Sequence, residues 1–159
     1  MTNDLIGAVA VSTTLGAALA AGIFFAFSTF VMAALGRLLP EQGIAAMQSI
    51  NVVVVNPWFL GVFLGTALGA IALGLLGFVY WGAPGSTYLV AGGLIYVIGC
   101  FLVTVAFNIP LNNALAAVEP GSLAGAELWT RFLASWTGWN HVRTVASLAA
   151  AASFLLALR

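Results

Sequence analysis

Lysine is absent from this sequence of 159 residues, and charged side chains of all types make up only 5% of it. An ordinary soluble domain carries roughly 25% charged residues. Without lysine the chain cannot form the glycine-rich, lysine-containing loop that binds nucleotide phosphates. Its formal net charge of zero also gives it no basic surface for nucleic acid, so we expect no nucleic-acid partner.

Histidine and cysteine each occur once, as His141 and Cys100, and only four residues are acidic. A copper or iron site built from several histidines is therefore impossible within one chain. A haem with two histidine ligands would need a second subunit, and Cys100 has no partner for a disulfide. We expect neither a metal nor another cofactor.

Hydrophobic residues are abundant, at 63% of the chain, and no charged residue occurs between Gln42 and Val118. About 20 apolar residues cross a bilayer core that is about 30 Å thick, so this stretch alone accommodates two spans. Asp4 stands where a signal peptide would have basic residues, and the apolar stretch 5–36 is longer than a secretory core. The sequence predicts an integral membrane protein that keeps its first helix, and we place it in a bacterial cytoplasmic membrane.

Turn and break signals divide the chain into four predicted spans, approximately residues 5–36, 57–81, 88–109 and 140–158. Pro57 suits the first position of a helix, and the "GAPGS" segment after Trp81 is long enough only for a turn. Pro110 is expected to break the third helix. The predicted fold is all-α: one polytopic membrane domain over residues 1–159, built as a four-helix bundle with both termini on one side.

Two segments between the spans are amphipathic. Ile44, Met47 and Ile50 recur at helical spacing in "EQGIAAMQSINVVVVN". The segment "SLAGAELWTRFLASWTGW" mixes two charged residues with four aromatic ones. Both segments predict short amphipathic helices that lie at the membrane interface or cap the bundle.

Polar residues concentrate at the first and third connections, which lie on the same membrane face in an up-and-down four-helix bundle. Around the first connection are Ser28, Thr29, Gln48, Asn51 and Asn56. Around the third are Asn108, Asn112, Asn113, Glu127, Asn140, His141 and Arg143. Polar groups in hydrocarbon are costly, so this polar end of the bundle is the predicted functional site, with Gln48 or Asn51 placed to cover it.

The fourth predicted span begins with a polar stripe, because Asn140, Arg143, Thr144 and Ser147 fall on one side of a helix. His141 lies about 100° around the helix from Asn140 and borders the stripe. In a functional interpretation the stripe faces protein or water. In the simpler alternative, Arg143 extends to lipid headgroups and His141 caps a backbone carbonyl.

Small and aromatic residues suggest how the helices pack. Gly61, Gly65 and Gly69 recur every four residues, a spacing that lets helices approach closely. We expect this row to pack within the chain; a tight dimer is the alternative, so a homo-oligomer stays open. Four phenylalanines end the first span: Phe24, Phe25, Phe27 and Phe30. We expect most of them to contact core or lipid, and the alternative is that they line the floor of the polar end.

Four motifs occur in order along the chain: "FSTFVMAAL", "MQSIN" with "NPWF", "FLVTVAFNIPLNNAL" and "WTGWNHVRT". Over nearly the whole chain this series resembles the anthrone oxygenase-like family of small four-span membrane proteins, also described as a domain of unknown function. The resemblance implies a four-helix membrane bundle. In some fungal members it is linked to oxygenation of anthrones to anthraquinones without a known metal or flavin. The residues that match the family pattern are Asn108, Pro110, Asn112, Trp136, Trp139, Asn140, His141 and Arg143.

Oxygenation of an anthrone-like substrate has a coherent assignment to these residues. Such a substrate is flat, apolar and mildly acidic, so a base of near-neutral pKa could form its enolate. His141 would be that base. Arg143, together with Asn108 and Asn112, would hold the developing oxyanion in a poorly hydrated site. Electron-rich enolates react directly with dioxygen, which is consistent with the absence of metal ligands.

Substrate binding would involve three more of the matching residues. Trp136 and Trp139 would stack on the ring system, and Asn140 would provide a further polar contact. The second hypothesis is not enzymatic: the same polar end binds a lipid-soluble small molecule or a membrane lipid, as in a transporter or an accessory subunit. No inverted repeat relates the two halves of the sequence, which argues against a typical secondary transporter.

Overall fold

The computed structural model describes residues 2–159, and this part of the chain contains helices and no strand, so the predicted all-α class is confirmed. In chain order the helices are α1 (Thr2–Ala26, Phe27–Val31 and Met32–Leu35), α2 (Pro40–Val53), α3 (Pro57–Val79), α4 (Ser86–Tyr96, Val97–Leu102, Thr104–Asn108 and Ile109–Ala116) and α5 (Leu123–Ala157). Three of these segments are π-helical, one in α1 and two in α4: Phe27–Val31, Val97–Leu102 and Thr104–Asn108.

Three helices are long and apolar enough to cross a membrane, namely Asp4–Leu35, Pro57–Val79 and Ser86–Ala116. They correspond to the first three predicted spans, and they make the chain an integral membrane protein by length and composition. Helix α5 does not meet the same criterion, because its apolar half is interrupted by polar residues. A fourth span therefore stays a prediction.

Helix α3 begins where the sequence predicts it to begin. The side-chain oxygen of Asn56 accepts hydrogen bonds from the backbone N–H groups of Trp58 (3.1 Å) and Phe59 (3.0 Å), and Pro57 occupies the first turn. This cap satisfies donors that have no partner within the helix. After α3 the chain reverses through Gly82 and Gly85, whose φ angles of 92° and 80° favour glycine.

Helix α4 does not break at Pro110, so the prediction that the third helix ends there is wrong. The helix continues to Ala116. In a regular α-helix the proline ring would clash with the carbonyl four residues earlier. Here the π-helical Thr104–Asn108 directly precedes it, and the N–H of Ile109 bonds to the carbonyl of Thr104, five residues back. The wider turn leaves room for the ring.

Helix α5 joins two elements that the sequence pattern keeps apart. The amphipathic segment from Leu123 and the predicted span from Asn140 form one continuous helix of 35 residues. The side chain of Ser122 caps its start by accepting a hydrogen bond from the N–H of Gly125 at 3.0 Å. Gly138 alone does not break the helix, since an interior glycine costs only about 1 kcal/mol relative to alanine. At about 1.5 Å per residue, α5 is longer than a bilayer core is thick.

The buried residues form two clusters, one above the other along the bundle. The first lies between α1, α3, α4 and α5 and includes Phe24, Phe63, Tyr96 and Phe154. The second lies where α2 covers the bundle end: Met32, Ile44, Met47, Leu115, Trp129, Phe132 and Trp136. Ile44 and Met47 are the apolar face predicted for α2, which therefore acts as a cap on the bundle.

The glycine row of α3 packs against α1 at one position only. Gly69 lies directly against the side chain of Thr13, whereas a Cβ atom at Gly61 or Gly65 would meet nothing within 4 Å. The expectation of packing within the chain is therefore right for Gly69 and wrong for the other two. A second close contact between α1 and α3 is made by Gly16 against Thr66.

Candidate functional site

A cavity of about 200 Å³ lies between the two core clusters, at the bundle end covered by α2. All five helices contribute to its walls. Five aromatic side chains line it: Phe24, Phe27, Phe59, Phe63 and Trp136. Its polar lining residues are Asn51, Thr104, Asn112 and Arg143. The cavity is therefore apolar over most of its surface and carries a positive charge at one place.

Arg143 is buried, with 4% of its surface exposed. One terminal nitrogen donates to the side-chain oxygen of Asn140 at 2.7 Å, and the other donates to the hydroxyl of Thr104 at 3.3 Å. Its Nε atom is buried without a partner. No carboxylate is among the residues that line the cavity or hydrogen-bond this guanidinium in the described chain. Arg143 therefore has no protein counter-ion at this site.

Two aromatic rings partly compensate for the lost hydration of the guanidinium. Its central carbon lies 4.3 Å from the ring centroid of Phe24 and 5.1 Å from that of Trp136. A desolvated cation–π contact is worth about 2 kcal/mol. The two contacts offset part of the several kcal/mol that it costs to bury an ion, but they do not neutralise the charge, which remains available for an anion.

Asn140 holds Arg143 in place. It is fully buried, and its amide donates to the Phe24 carbonyl at 2.7 Å and to the Ser28 hydroxyl at 2.7 Å, while its oxygen accepts from Arg143. The Ser28 hydroxyl also lies 3.2 Å from that of Thr144. Asn140 thus joins α5 to α1, and it supports the cavity wall without lining it.

Trp136 is positioned by two asparagines of α4, Asn108 and Asn112. Its indole N–H donates to the side-chain oxygen of Asn112 at 2.8 Å, and its carbonyl accepts from the amide of Asn108 at 3.2 Å. Asn112 lines the cavity, whereas Asn108 is buried behind Trp136 and its side-chain oxygen has no partner. The two residues therefore fix the orientation of one aromatic wall.

Helix α2 closes the polar end of the cavity. Asn51 lines the cavity, and its amide nitrogen is buried without a partner. Gln48 holds the helix in place by donating to the carbonyls of Leu115 (2.8 Å) and Val118 (3.0 Å) at the end of α4. Of the two residues predicted to cover the site, Asn51 contacts the cavity and Gln48 fastens the cap.

Trp139 and His141 do not line the cavity. Trp139 stacks on Phe107, with ring centroids 3.7 Å apart, on the outer side of α4 and α5. His141 is exposed. The expectation that His141 and Arg143 converge on one cavity is therefore wrong for His141. This residue follows Asn140 directly, and the step of about 100° around α5 turns its ring outward. Its role as a general base is untested.

Several lining residues are not among those that match the family pattern, including Thr104, Phe59 and Phe63. Thr104 falls on the same face of α4 as Asn108 and Asn112, at steps of four residues, and this spacing is a signal that could have found it. Phe24 and Phe27 line the cavity, in line with the alternative interpretation of the four phenylalanines, while Phe25 and Phe30 are 57% and 60% exposed.

The fold and the cavity define a class: a small helical membrane protein with an aromatic-lined cavity and a buried arginine that has no carboxylate partner among the described residues. The described residues contain no group of three or more histidine, cysteine or acidic side chains that could hold a metal ion. The family model described as anthrone oxygenase matches residues 57–153, which is more than half of the chain. The chain therefore belongs to the anthrone oxygenase family. No curated protein and no solved structure matches it.

Proposed function

We propose that this protein oxygenates a flat, lipid-soluble aromatic substrate that binds in the cavity beside Arg143. The observation that carries the proposal is a desolvated guanidinium, with an unpartnered Nε, facing a cavity lined by five aromatic rings. Aromatic walls suit a planar ring system. A positive charge in a poorly hydrated site stabilises an oxyanion far more than it would in water. Membership of the family points to an anthrone-like substrate.

The proposed chemistry requires the substrate to react as its enolate. Loss of a proton from the carbon that will be oxidised places negative charge on the ring carbonyl oxygen, and Arg143 would stabilise that oxygen. The enolate gives electrons to dioxygen and forms a carbon–oxygen bond. The resulting hydroperoxide breaks its O–O bond as the remaining hydrogen on that carbon is lost. One oxygen atom stays in the new carbonyl and the other leaves as water, so a CH₂ group and O₂ become a C=O group and H₂O.

Among its lining residues, the cavity offers the substrate a positive charge and no histidine or acidic side chain as a base. The proximity of Arg143 lowers the pKa of a bound enol or phenol, because a nearby positive charge favours the ionised form. His141 as the general base remains a proposal, and its exposure leads us to expect that a ligand in the cavity does not reach it.

A second function is favoured by the same observation. A cavity with a cationic donor and no acid–base side chain among its lining residues suits a protein that binds an anionic aromatic molecule or a lipid and does not transform it. In that case Arg143 supplies affinity only. This alternative corresponds to a carrier or an accessory subunit of a membrane complex.

Oxygen uptake distinguishes the two functions. Purified protein would be given an anthrone, and dissolved oxygen would be followed for the wild type, Arg143→Met, His141→Ala and the exposed control Arg131→Met at matched folded concentration. We expect uptake by the wild type, loss in Arg143→Met, and retention in the control and in His141→Ala. Loss of oxygen uptake in His141→Ala, with uptake retained in the Arg131→Met control, would identify His141 as the base. A wild type that binds anthrones without consuming oxygen would favour the binding protein.

We further propose that the C-terminal half of α5 is a fourth membrane span. Ser147 and Phe154 are buried in the bundle, while Val145, Leu148 and Leu155 expose apolar side chains on the opposite side of the helix. This arrangement fits a helix between protein and lipid. Cysteine labelling from each side of the membrane would place Arg159 on the same side as the N-terminus if four spans are correct.

A further inference from the structure

The seam between α1 and α3 is closed at one end and open at the other. At the end far from α2, Thr13 packs directly on Gly69 and Thr66 on Gly16, without room for a Cβ atom at either glycine. Towards the start of α3, a Cβ atom at Gly65 or Gly61 would meet nothing within 4 Å. Nearer the cavity, Leu19 of α1 and Val62 of α3 line a groove between the two helices instead.

A groove of about 320 Å³ occupies the open part of this seam. It shares three wall residues with the cavity: Ile23, Phe59 and Phe63. The cavity alone is smaller than the roughly 300–1,000 Å³ of typical small-molecule sites, whereas cavity and groove together fall within that range.

The outer rim of the groove faces the apolar surroundings of the bundle. Leu19 and Trp58 stand on the rim, with 53% and 87% of their surfaces exposed. Nearly all of the groove's lining residues are apolar, so a planar apolar molecule dissolved in the bilayer would lose little by entering it. At the polar end of the cavity, Gln48 fastens α2 to the end of α4.

We propose that the α1–α3 seam is a lateral entrance through which a planar aromatic ligand passes from the bilayer into the cavity, with Ile23, Phe59 and Phe63 as its gate. This inference rests on the proposed function, since it requires that the cavity binds such a ligand. Phe59 and Phe63 stack with centroids 5.9 Å apart, and Phe63 meets Phe24 edge to face. Rotation of these side chains would connect groove and cavity without moving a helix.

The test blocks the rim and measures binding rates. Leu19→Cys, labelled with a bulky maleimide, places an obstacle in the groove; Leu19 does not line the cavity, and the only native cysteine, Cys100, is buried. The probe is anthracene-2-carboxylate, followed by energy transfer from tryptophan in stopped-flow mixing with protein in nanodiscs. Labelled Leu148→Cys, on the outer face of α5, is the matched control. Leu19→Trp provides the same obstruction without a label.

A blocked entrance should slow association and dissociation together, by about tenfold or more, and leave Kd unchanged, because an obstacle on the path alters both directions equally. The labelled control should bind at the unlabelled rate. Unchanged association and dissociation rates in the Leu19 variants would overturn the proposed entrance. A change in Kd that arises from the dissociation rate alone would also overturn it. Neither result would contradict binding in the cavity. Failure of the unlabelled protein to bind the probe would overturn the cavity, and the entrance with it.

Discussion

The replacement Arg143→Met tests whether the buried charge serves a ligand or the fold. Methionine keeps most of the side-chain volume and removes the charge. Arg143 is 4% exposed and has no carboxylate among its hydrogen-bond partners in the described chain. Its burial costs several kcal/mol, which Arg143→Met relieves, although the substitution leaves the buried side-chain oxygen of Asn140 without this partner. The variant is therefore expected to fold.

Arg143→Met also removes favourable interactions of the guanidinium, and their loss offsets this gain. Hydrogen bonds to a charged group contribute about 1.5–3 kcal/mol each, although the bond to Thr104 is long at 3.3 Å. The two cation–π interactions contribute about 2 kcal/mol each. The lost interactions are similar in size to the desolvation cost that the substitution removes. We therefore expect the free energy of unfolding to change by no more than about 2 kcal/mol.

Ligand binding should respond much more strongly than stability. Loss of one charge-assisted hydrogen bond, at about 1.5–3 kcal/mol, corresponds to about a 10- to 150-fold weaker Kd for an anionic aromatic probe. The measurement is a titration of anthracene-2-carboxylate and its uncharged amide, with denaturant unfolding of the same samples. The wild type should prefer the carboxylate, and Arg143→Met should lose that preference. Arg131→Met, an exposed arginine on the same helix, should keep it.

Two results would refute this reasoning. An unchanged preference for the carboxylate in Arg143→Met would mean that the guanidinium does not contact the ligand. A loss of more than about 4 kcal/mol in unfolding free energy would mean that Arg143 is required for the fold, since such values are exceptional for single substitutions.

Three further substitutions test the surroundings of the site. Asn140→Ala should lower the unfolding free energy by about 2–4 kcal/mol, because its three hydrogen bonds inside the bundle are removed. The measurement is denaturant unfolding, and Asn113→Ala, at an exposed position, is the control. Trp136→Leu should weaken the Kd of the aromatic probe by about threefold to tenfold, whereas Trp139→Leu, outside the cavity, should leave it unchanged in titration. Tyr96→Phe should keep or raise the melting temperature, because the hydroxyl is buried without a partner; a clear fall would show that it makes a stabilising bond.

Hydropathy and helical spacing predict the elements of this fold, but not where they join. The apolar stretches identify three long helices, and the spacing of Ile44 and Met47 identifies the buried face of α2. The continuity of α5 escapes the same reasoning, because an amphipathic segment followed by an apolar one reads as two helices when no tertiary contact is known. The N-terminal half of α5 packs in the second core cluster, and this packing favours one continuous helix over two.

The site was predictable in its location and less so in its members. The stripe of Asn140, Arg143 and Ser147 is buried as its spacing predicts. A helix position next to such a stripe is ambiguous, however, since a residue about 100° away can face either the interior or the outside. His141 falls on the outside, and Trp139 also stands apart from the cavity, although both match the family pattern as well as Arg143 does.

The π-helical turns of α4 explain how one helix presents polar residues to the interior over a long stretch. In a regular α-helix, each step of four residues advances about 40° beyond a full turn, so four steps from Tyr96 would drift by about 160°. A π-helical turn holds more residues, and two such turns occur between Tyr96 and Asn112. Cys100 and Asn108 are consequently buried, and Thr104 and Asn112 both line the cavity. Spacing in the sequence marks these positions at steps of four residues, but it does not reveal the π-helical turns that keep them on one side of α4.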